Sequence, residues 1–250
     1  MNITVPKFID QHSGFDAMTG GYVVTNEEPE LFNELLKGVK VNRAATIASG
    51  GEVVLSTILL RAREVVAIDH CYQSLIYLCA KLLILQQLPR HKILTIINNH
   101  KNDALAALLQ ESVKHLPEPL LSKVLSKKLN FLTQYHLPSL RKEWRYAKPV
   151  NNISKLLDRL TIVHGDLSDL VPNFGTFDLL YVSNAMEHKN RNNKNPLMSE
   201  FVDMLNPGGL LLYTMAYSNL PPKVNAPFKP FAASQGFRSQ WTHIIVQKEG

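Results

Sequence analysis

The stretch Thr46-Ile47-Ala48-Ser49-Gly50-Gly51-Glu52, with Glu64-Val65-Val66-Ala67-Ile68-Asp69 after it, limits the fold more than any other part of the chain. A short apolar run, Ala44 to Ala48, predicts a strand that enters two adjacent glycines. The apolar residues of Val53 to Leu60 predict a buried helix. A second apolar strand then ends in an acid. Strand, glycine turn, helix and strand in this order open a doubly wound α/β domain with a mostly parallel sheet. Paired glycines take backbone angles closed to other residues and let a ligand come near the main chain. A carboxylate about 20 residues past such a turn is placed to accept hydrogen bonds from ribose hydroxyls. The stretch predicts a nucleoside site with Asp69 as its ribose acid. A plain βαβ turn would need the glycines but not the acid.

At 250 residues the chain suits one α/β domain with insertions. A hydrophobic content of 45% fits a globular chain, and no apolar run reaches the length of a membrane span. The stretch Met1 to Lys7 lacks the charged start and apolar block of a secretory signal. Cys71 and Cys79 lie too far apart along one predicted helix to bridge, so two reduced, buried thiols and a cytoplasmic setting are expected. The net charge of +6 admits an anionic partner without identifying it. The basic stretch 114–148 would suit nucleic acid, an anionic membrane surface or an acidic substrate, or be merely a solvated helix face.

Residues 1–40 read as an arm or lid, irregular to about residue 30, with one short helix from Pro29 to Leu36. Residues 41–250 read as the α/β domain. Gln73 to Leu88 is apolar nearly all round and predicts a buried helix. The segment 90–150 carries helical pieces (103–115 and 120–132) broken by prolines, and reads as a helical insertion walling a substrate site. Further strands are predicted at Leu160–His164, Phe177–Val182, Leu210–Thr214 and Trp241–Gln247. A helix from Leu197 to Leu205 should stop at the turn Asn206-Pro207-Gly208-Gly209. Pro221, Pro222, Pro227 and Pro230 predict a long loop.

These pieces, in this order, resemble the class I S-adenosylmethionine-dependent methyltransferase superfamily over roughly residues 40–250. They are the glycine turn, Asp69, Gly165-Asp166, Phe177 to Asn184, Asn206 to Gly209, and Gly236-Phe237 before a last strand. The resemblance implies a sheet of about seven strands with one antiparallel strand near its end, and S-adenosylmethionine as cofactor. The usual glycine motif has an acid first and glycines at its third, fifth and seventh positions. Here those positions are Thr46, Ala48, Gly50 and Glu52. Thr-Ile-Ala-Ser-Gly-Gly is instead similar to the bacterial enzymes of betaine-lipid synthesis, which move a 3-amino-3-carboxypropyl group from S-adenosylmethionine to diacylglycerol. The helical insertion is similar as well, and so is Ser183-Asn184-Ala185-Met186-Glu187, although Asn184 stands where that family has a carboxylate.

On this resemblance Ala48, Ser49 and Gly50 would line the methionyl and ribose side, with Asp69 and its neighbour His70 at the ribose. Asp166 and Leu167 would flank the adenine, and Ser183 and Asn184 would face the methionine end. Attack on a carbon bonded to a sulfonium demands an in-line nucleophile, so positioning does most of the work. An oxygen nucleophile needs a base, for which His188 and Glu187 are the nearest candidates and His70 the next. No histidine spacing suits a metal, and no covalent-catalysis or phosphate-loop motif is present. The acceptor expected is a small molecule or a lipid. RNA methylation has thin support from four aromatics in the basic stretch. A nicotinamide-dependent oxidoreductase lacks its third dinucleotide glycine, and a non-catalytic nucleoside-binding or scaffold protein is the alternative from another class.

Overall fold

Short runs of aliphatic residues build the centre of the sheet. The computed structural model describes residues 5–11, 29–49, 51, 53–58, 61–88, 91–92, 95, 102–126, 154–167, 170–183, 201–216, 227–235 and 241–249. Its strands are β1 (Lys7–Asp10), β2 (Arg43–Ile47), β3 (Glu64–Asp69), β4 (Leu160–His164), β5 (Phe177–Tyr181), β6 (Leu205–Ala216), β7 (Phe228–Gln235) and β8 (Trp241–Lys248). They form one eight-stranded sheet in the order β1-β4-β3-β2-β5-β6-β8-β7. β8 runs antiparallel to both β6 and β7, and every other pairing is parallel. This is a doubly wound, mostly parallel α/β sheet. The order turns back at β2, since β3 and β4 continue on one side of it and β5 and β6 on the other.

Both faces of the sheet are covered, as a parallel sheet requires. One face, with Ala44, Ala67, Ile162, Leu179, Leu212 and Ile245, packs under α1 (Pro29–Leu35) and α2 (Tyr72–Gln87). The other face buries Ala45, Val66, Val163, Leu180, Leu211 and Val246 against Leu170, Phe201 and Met204. Helix α2 has hardly any polar side because α3 (Asn102–Val113) and α4 (Glu118–Ser126) pack against it as well. Each fully buried leucine on it, such as Leu75, Leu78 or Leu82, contributes roughly 1.5–3 kcal/mol relative to exposure. Short helices α5 (Ser154–Leu157) and α6 (Leu170–Phe174) flank β4.

The amino ends of the strands are fastened by side chains. Asp178 Oδ2 accepts from the backbone N–H groups of Asn42 and Arg43, each at 2.9 Å, and its Oδ1 accepts from Asn206 Nδ2 at 2.8 Å. The Arg43 guanidinium donates to the carbonyls of Phe174 (2.7 Å) and Thr176 (2.9 Å) and pairs with Glu64. With β2, β3, β5 and β6 bound together there, the carboxyl ends are left for other work.

The sheet departs from the sequence expectation in four places. Lys7–Asp10, in the expected irregular arm, is an edge strand that pairs with β4, so the sheet has eight strands rather than about seven. The helix expected from Val53 is not regular over its described part: Val54–Ile58 is a π-helical turn. The predicted helix 197–205 has already given way to strand at Leu205. The turn Asn206 to Gly209 is an excursion inside β6, where the register jumps from Phe177↔Leu205 to Leu179↔Leu210. Pro230 lies not in a loop but in β7, an edge strand where its missing N–H costs no ladder bond. Among the described residues no helix is long and apolar enough to cross a membrane.

Candidate nucleoside site

The register places one residue of each strand in a single transverse line at the carboxyl end of β1–β6. Asp10 pairs with His164 and His164 with Asp69. Ala48 follows the Ile47↔Ile68 pair and so lies beside Asp69, and Ser183 lies two residues beyond the Thr46↔Tyr181 pair. The Thr214 N–H donates to the Ser183 carbonyl at 3.0 Å, and Thr214 pairs with His243, which pairs with Ser234. Paired residues share a face of a pleated sheet, and two residues behind this line on the same face stand Phe8, Ile162, Ala67, Thr46, Tyr181, Leu212, Ile245 and Ala232. A row apolar at all but Thr46 and the Tyr181 hydroxyl thus gives way to Asp10, His164, Asp69, Ala48, Ser183, Thr214, His243 and Ser234. Seven of these eight are polar. The line passes through the turning point of the strand order, where open α/β sheets bind ligands.

Asp69 is the hub. Its Oδ2 accepts from the Ser49 N–H at 3.1 Å and its Oδ1 from the Cys71 N–H at 2.9 Å, so one carboxylate joins the turn after β2 to the turn after β3. The residue is only 7% exposed. Burial pushes its carboxyl up from the usual carboxylate range, opposed by the Cys71 N–H, the nearby His70, the Ser49 N–H and the Ser74 side chain. The carboxylate keeps accepting capacity beyond these donors. Ser49 has φ +47° and Ser183 φ +53°, so both strands flanking the turning point end in a left-handed non-glycine residue. Such residues cost about 1–3 kcal/mol each and cluster at ligand sites. Gly51, at φ +93°, closes the first turn through its N–H to the Ala48 carbonyl at 2.9 Å.

Of the residues singled out in the sequence, Ala48, Ser49, Asp69, His70, Asp166, Leu167 and Ser183 all lie at the carboxyl ends of β2, β3, β4 and β5. His70 is largely exposed, with Nδ1 3.8 Å from Asp69 Oδ1. Asp166 is exposed and Leu167 buried. Gly50, Asn184, Glu187 and His188 lie outside the described residues. Among the described residues no His, Cys, Asp and Glu group is placed to hold a metal.

Sequence reasoning missed Asp10, Tyr72, His164, Thr214 and His243. His164 is buried, with Nδ1 2.9 Å from Asp10 Oδ1 and Nε2 3.2 Å from the His70 carbonyl. Tyr72 stacks on its ring at 3.7 Å and donates its hydroxyl to Asp10 Oδ2 at 2.7 Å. On the far side of β2, Phe32 of α1 meets Tyr181 and His243 edge-on, at 5.3 and 4.8 Å.

No family model matches the chain, and neither does any curated protein. Several solved structures are similar to it. The N-methyltransferase NodS from Bradyrhizobium japonicum WM9 is 10% identical, with 89% of this chain and 94% of that one covered and a TM-score of 0.47. The rRNA methyltransferase aviRa from Streptomyces viridochromogenes is 12% identical, with coverage of 92% and 88% and a TM-score of 0.47. A NodS structure in complex with S-adenosyl-l-homocysteine is 11% identical, with coverage of 89% and 86% and a TM-score of 0.43. The fold of this chain rests on its own strand order and register.

Proposed function

We propose that this chain is an S-adenosylmethionine-dependent transferase acting on a small-molecule or lipid acceptor, with methyl as the group moved. The observation that carries the reading is the Asp69 carboxylate, which bonds the turns after β2 and β3 together at the turning point of the sheet. Its remaining lone pairs accept the ribose hydroxyls. Ala48, Ser49 and Gly50 offer backbone groups to the ribose and methionyl part, and His70 lies beside the ribose. Leu167 gives the adenine an apolar wall, and the exposed Asp166 accepts from its exocyclic amine. Across β2, Ser183 and the Asn184 amide hold the amino and carboxylate groups of the methionine. His188, or Glu187, removes the proton of an oxygen acceptor. The protein's part is to hold the sulfonium in line with that nucleophile.

A second reading, transfer of the 3-amino-3-carboxypropyl group to a lipid hydroxyl, is favoured by the form of the first turn. Ala48 and Glu52 stand there where the usual motif has glycines, and Ser49 between Ala48 and Gly50 adopts φ +47°. The two readings leave different spent products. Calorimetric titration of the full chain with S-adenosylmethionine, beside Asp69→Ala and an NAD control, is the first test. Micromolar binding lost in a folded Asp69→Ala supports the site. S-adenosylhomocysteine as product would then mean methyl transfer, and methylthioadenosine the alternative. Folded protein that takes up no S-adenosylmethionine refutes both, and uptake of NAD would favour an oxidoreductase. RNA binding at low salt would move the acceptor to nucleic acid.

A further inference from the structure

We propose that Asp10 and His164 form a charged pair, the imidazole buried and the carboxylate partly exposed, whose task is to position the Asp69–Cys71 turn, and with it the ribose end of the nucleoside site; the functional half of this inference rests on the reading above. The argument begins with hydrogen-bond polarity. The imidazole of His164, with its side chain 2% exposed, faces the Asp10 carboxylate with Nδ1 and the His70 backbone carbonyl with Nε2. Both partners only accept. Both ring nitrogens must therefore donate, which makes the ring an imidazolium. A neutral ring would turn a lone pair toward one of the two oxygens.

The charge is balanced where it stands. Asp10 Oδ1 takes the imidazolium proton and Oδ2 takes the Tyr72 hydroxyl. The Tyr72 ring lies against the imidazole, with the two planes 27° apart, and also carries Lys123 Nζ at 4.7 Å from its centre. His70 is the middle residue of the turn that bears Asp69. Its carbonyl is held by His164 Nε2, and the Asp69 carbonyl by the Gly165 N–H at 3.1 Å. His164, the last residue of β4, and Gly165 after it thus grip two successive carbonyls of the turn. The same turn supplies the Cys71 N–H that aims the Asp69 carboxylate. Asp10 acts at one remove, by keeping the imidazole charged and doubly donating. Strand β1 is only four residues long with a part-exposed pattern, and the pair adds a side-chain tie to its ladder with β4.

The test compares wild type, Asp10→Asn, His164→Gln and Tyr72→Phe as full-length chains, each with three readouts. Side-chain nitrogen NMR should show His164 with both nitrogens protonated in wild type and with one proton lost in Asp10→Asn. Amide hydrogen exchange at Cys71 and Ser49 should quicken in Asp10→Asn and His164→Gln, and less in Tyr72→Phe, which keeps the stack. Affinity for S-adenosylhomocysteine and for methylthioadenosine should fall equally, on the order of tenfold, since the ribose and adenine lie in the 5′-thioadenosine part that both carry. A neutral His164 in wild type, or unchanged exchange at both amides in a folded His164→Gln, would overturn the pair as a positioning device. Faster exchange with unchanged nucleoside affinity would overturn its link to the site. Wild type that binds neither nucleoside would overturn the transferase reading, while the exchange and NMR results would still decide whether the pair holds the turn.

Discussion

Gly51→Ala is the sharpest probe of the glycine turn, because the structure gives two separate costs for one methyl group. Gly51 has φ +93°, a conformation in which an L side chain costs about 1–2 kcal/mol. The added Cβ would also lie 3.0 Å from Leu78 Cδ1 and 3.3 Å from Leu78 Cα on α2. The Cδ1 contact can be relieved by turning the leucine off its rotamer, at about 0.5–1.5 kcal/mol. The Cα cannot yield unless the helix moves, and α2 is packed against the sheet, α3 and α4. The expected loss is therefore about 2–3 kcal/mol, read from equilibrium guanidinium denaturation with circular dichroism as the probe. A cycle with Leu78→Ala separates the costs. Truncating the leucine removes the crowding of Cδ1 and leaves the backbone cost, so a coupling of roughly 1 kcal/mol is expected between the two sites. Gly51→Ala within about 0.5 kcal/mol of wild type would refute the positive φ and the close approach together. Strict additivity in the cycle would refute the contact alone.

Two further predictions follow from burial. Because the native Asp69 carboxyl is pushed up, the unfolded chain gives up this proton first. The stability Asp69 contributes is full below its unfolded value of about 3.9 and is lost as pH rises through the higher native value, whereas nucleoside affinity, which needs the carboxylate, rises over that interval. Asp69→Asn should flatten both dependences, in calorimetric and denaturation series from about pH 4 to pH 7, and equal slopes in variant and wild type would refute the assignment. Burial also pushes the Cys79 thiol up, and Cys71, eight residues before it, is buried too. Iodoacetamide should label neither in the native protein near neutral pH and both after unfolding, as mass spectrometry would read; native labelling of Cys79 would contradict its burial.

What the sequence revealed was what neighbouring residues decide together. β3, β4 and β5 are near-continuous apolar runs, and the first turn announces itself by its glycines and by the acid that ends the next strand. β1 escaped notice because Lys7-Phe8-Ile9-Asp10 is too short to show alternation, and β7 because Pro230 and Ser234 look like loop residues out of context. His164 was visible only as the last residue of a strand. Its meaning comes from Asp10, 154 positions away, and from a backbone carbonyl, which no side-chain pattern reports. Thr214 and His243 are likewise joined by an antiparallel pairing across a long intervening segment.

The transverse line explains why so many unrelated positions matter at once. In a pleated sheet a slip of one residue sends a side chain to the opposite face, so eight strands must all be in register to bring these residues to one edge. On one side of Ala48 the line carries the acids and the doubly bonded imidazole, groups that can grip hydroxyls and fix a turn. On the other it carries Ser183, Thr214, His243 and Ser234, whose side chains can donate and accept hydrogen bonds without a fixed negative charge. Ala48 itself is 1% exposed and has no polar group. Under the transferase reading this asymmetry has a physical use. The ribose needs acceptors and the acceptor substrate needs groups that can orient or relay a proton, while the carbon undergoing attack gains most from a neighbour that competes for neither. The place on the line without a polar side chain is also the place where the strand order turns back.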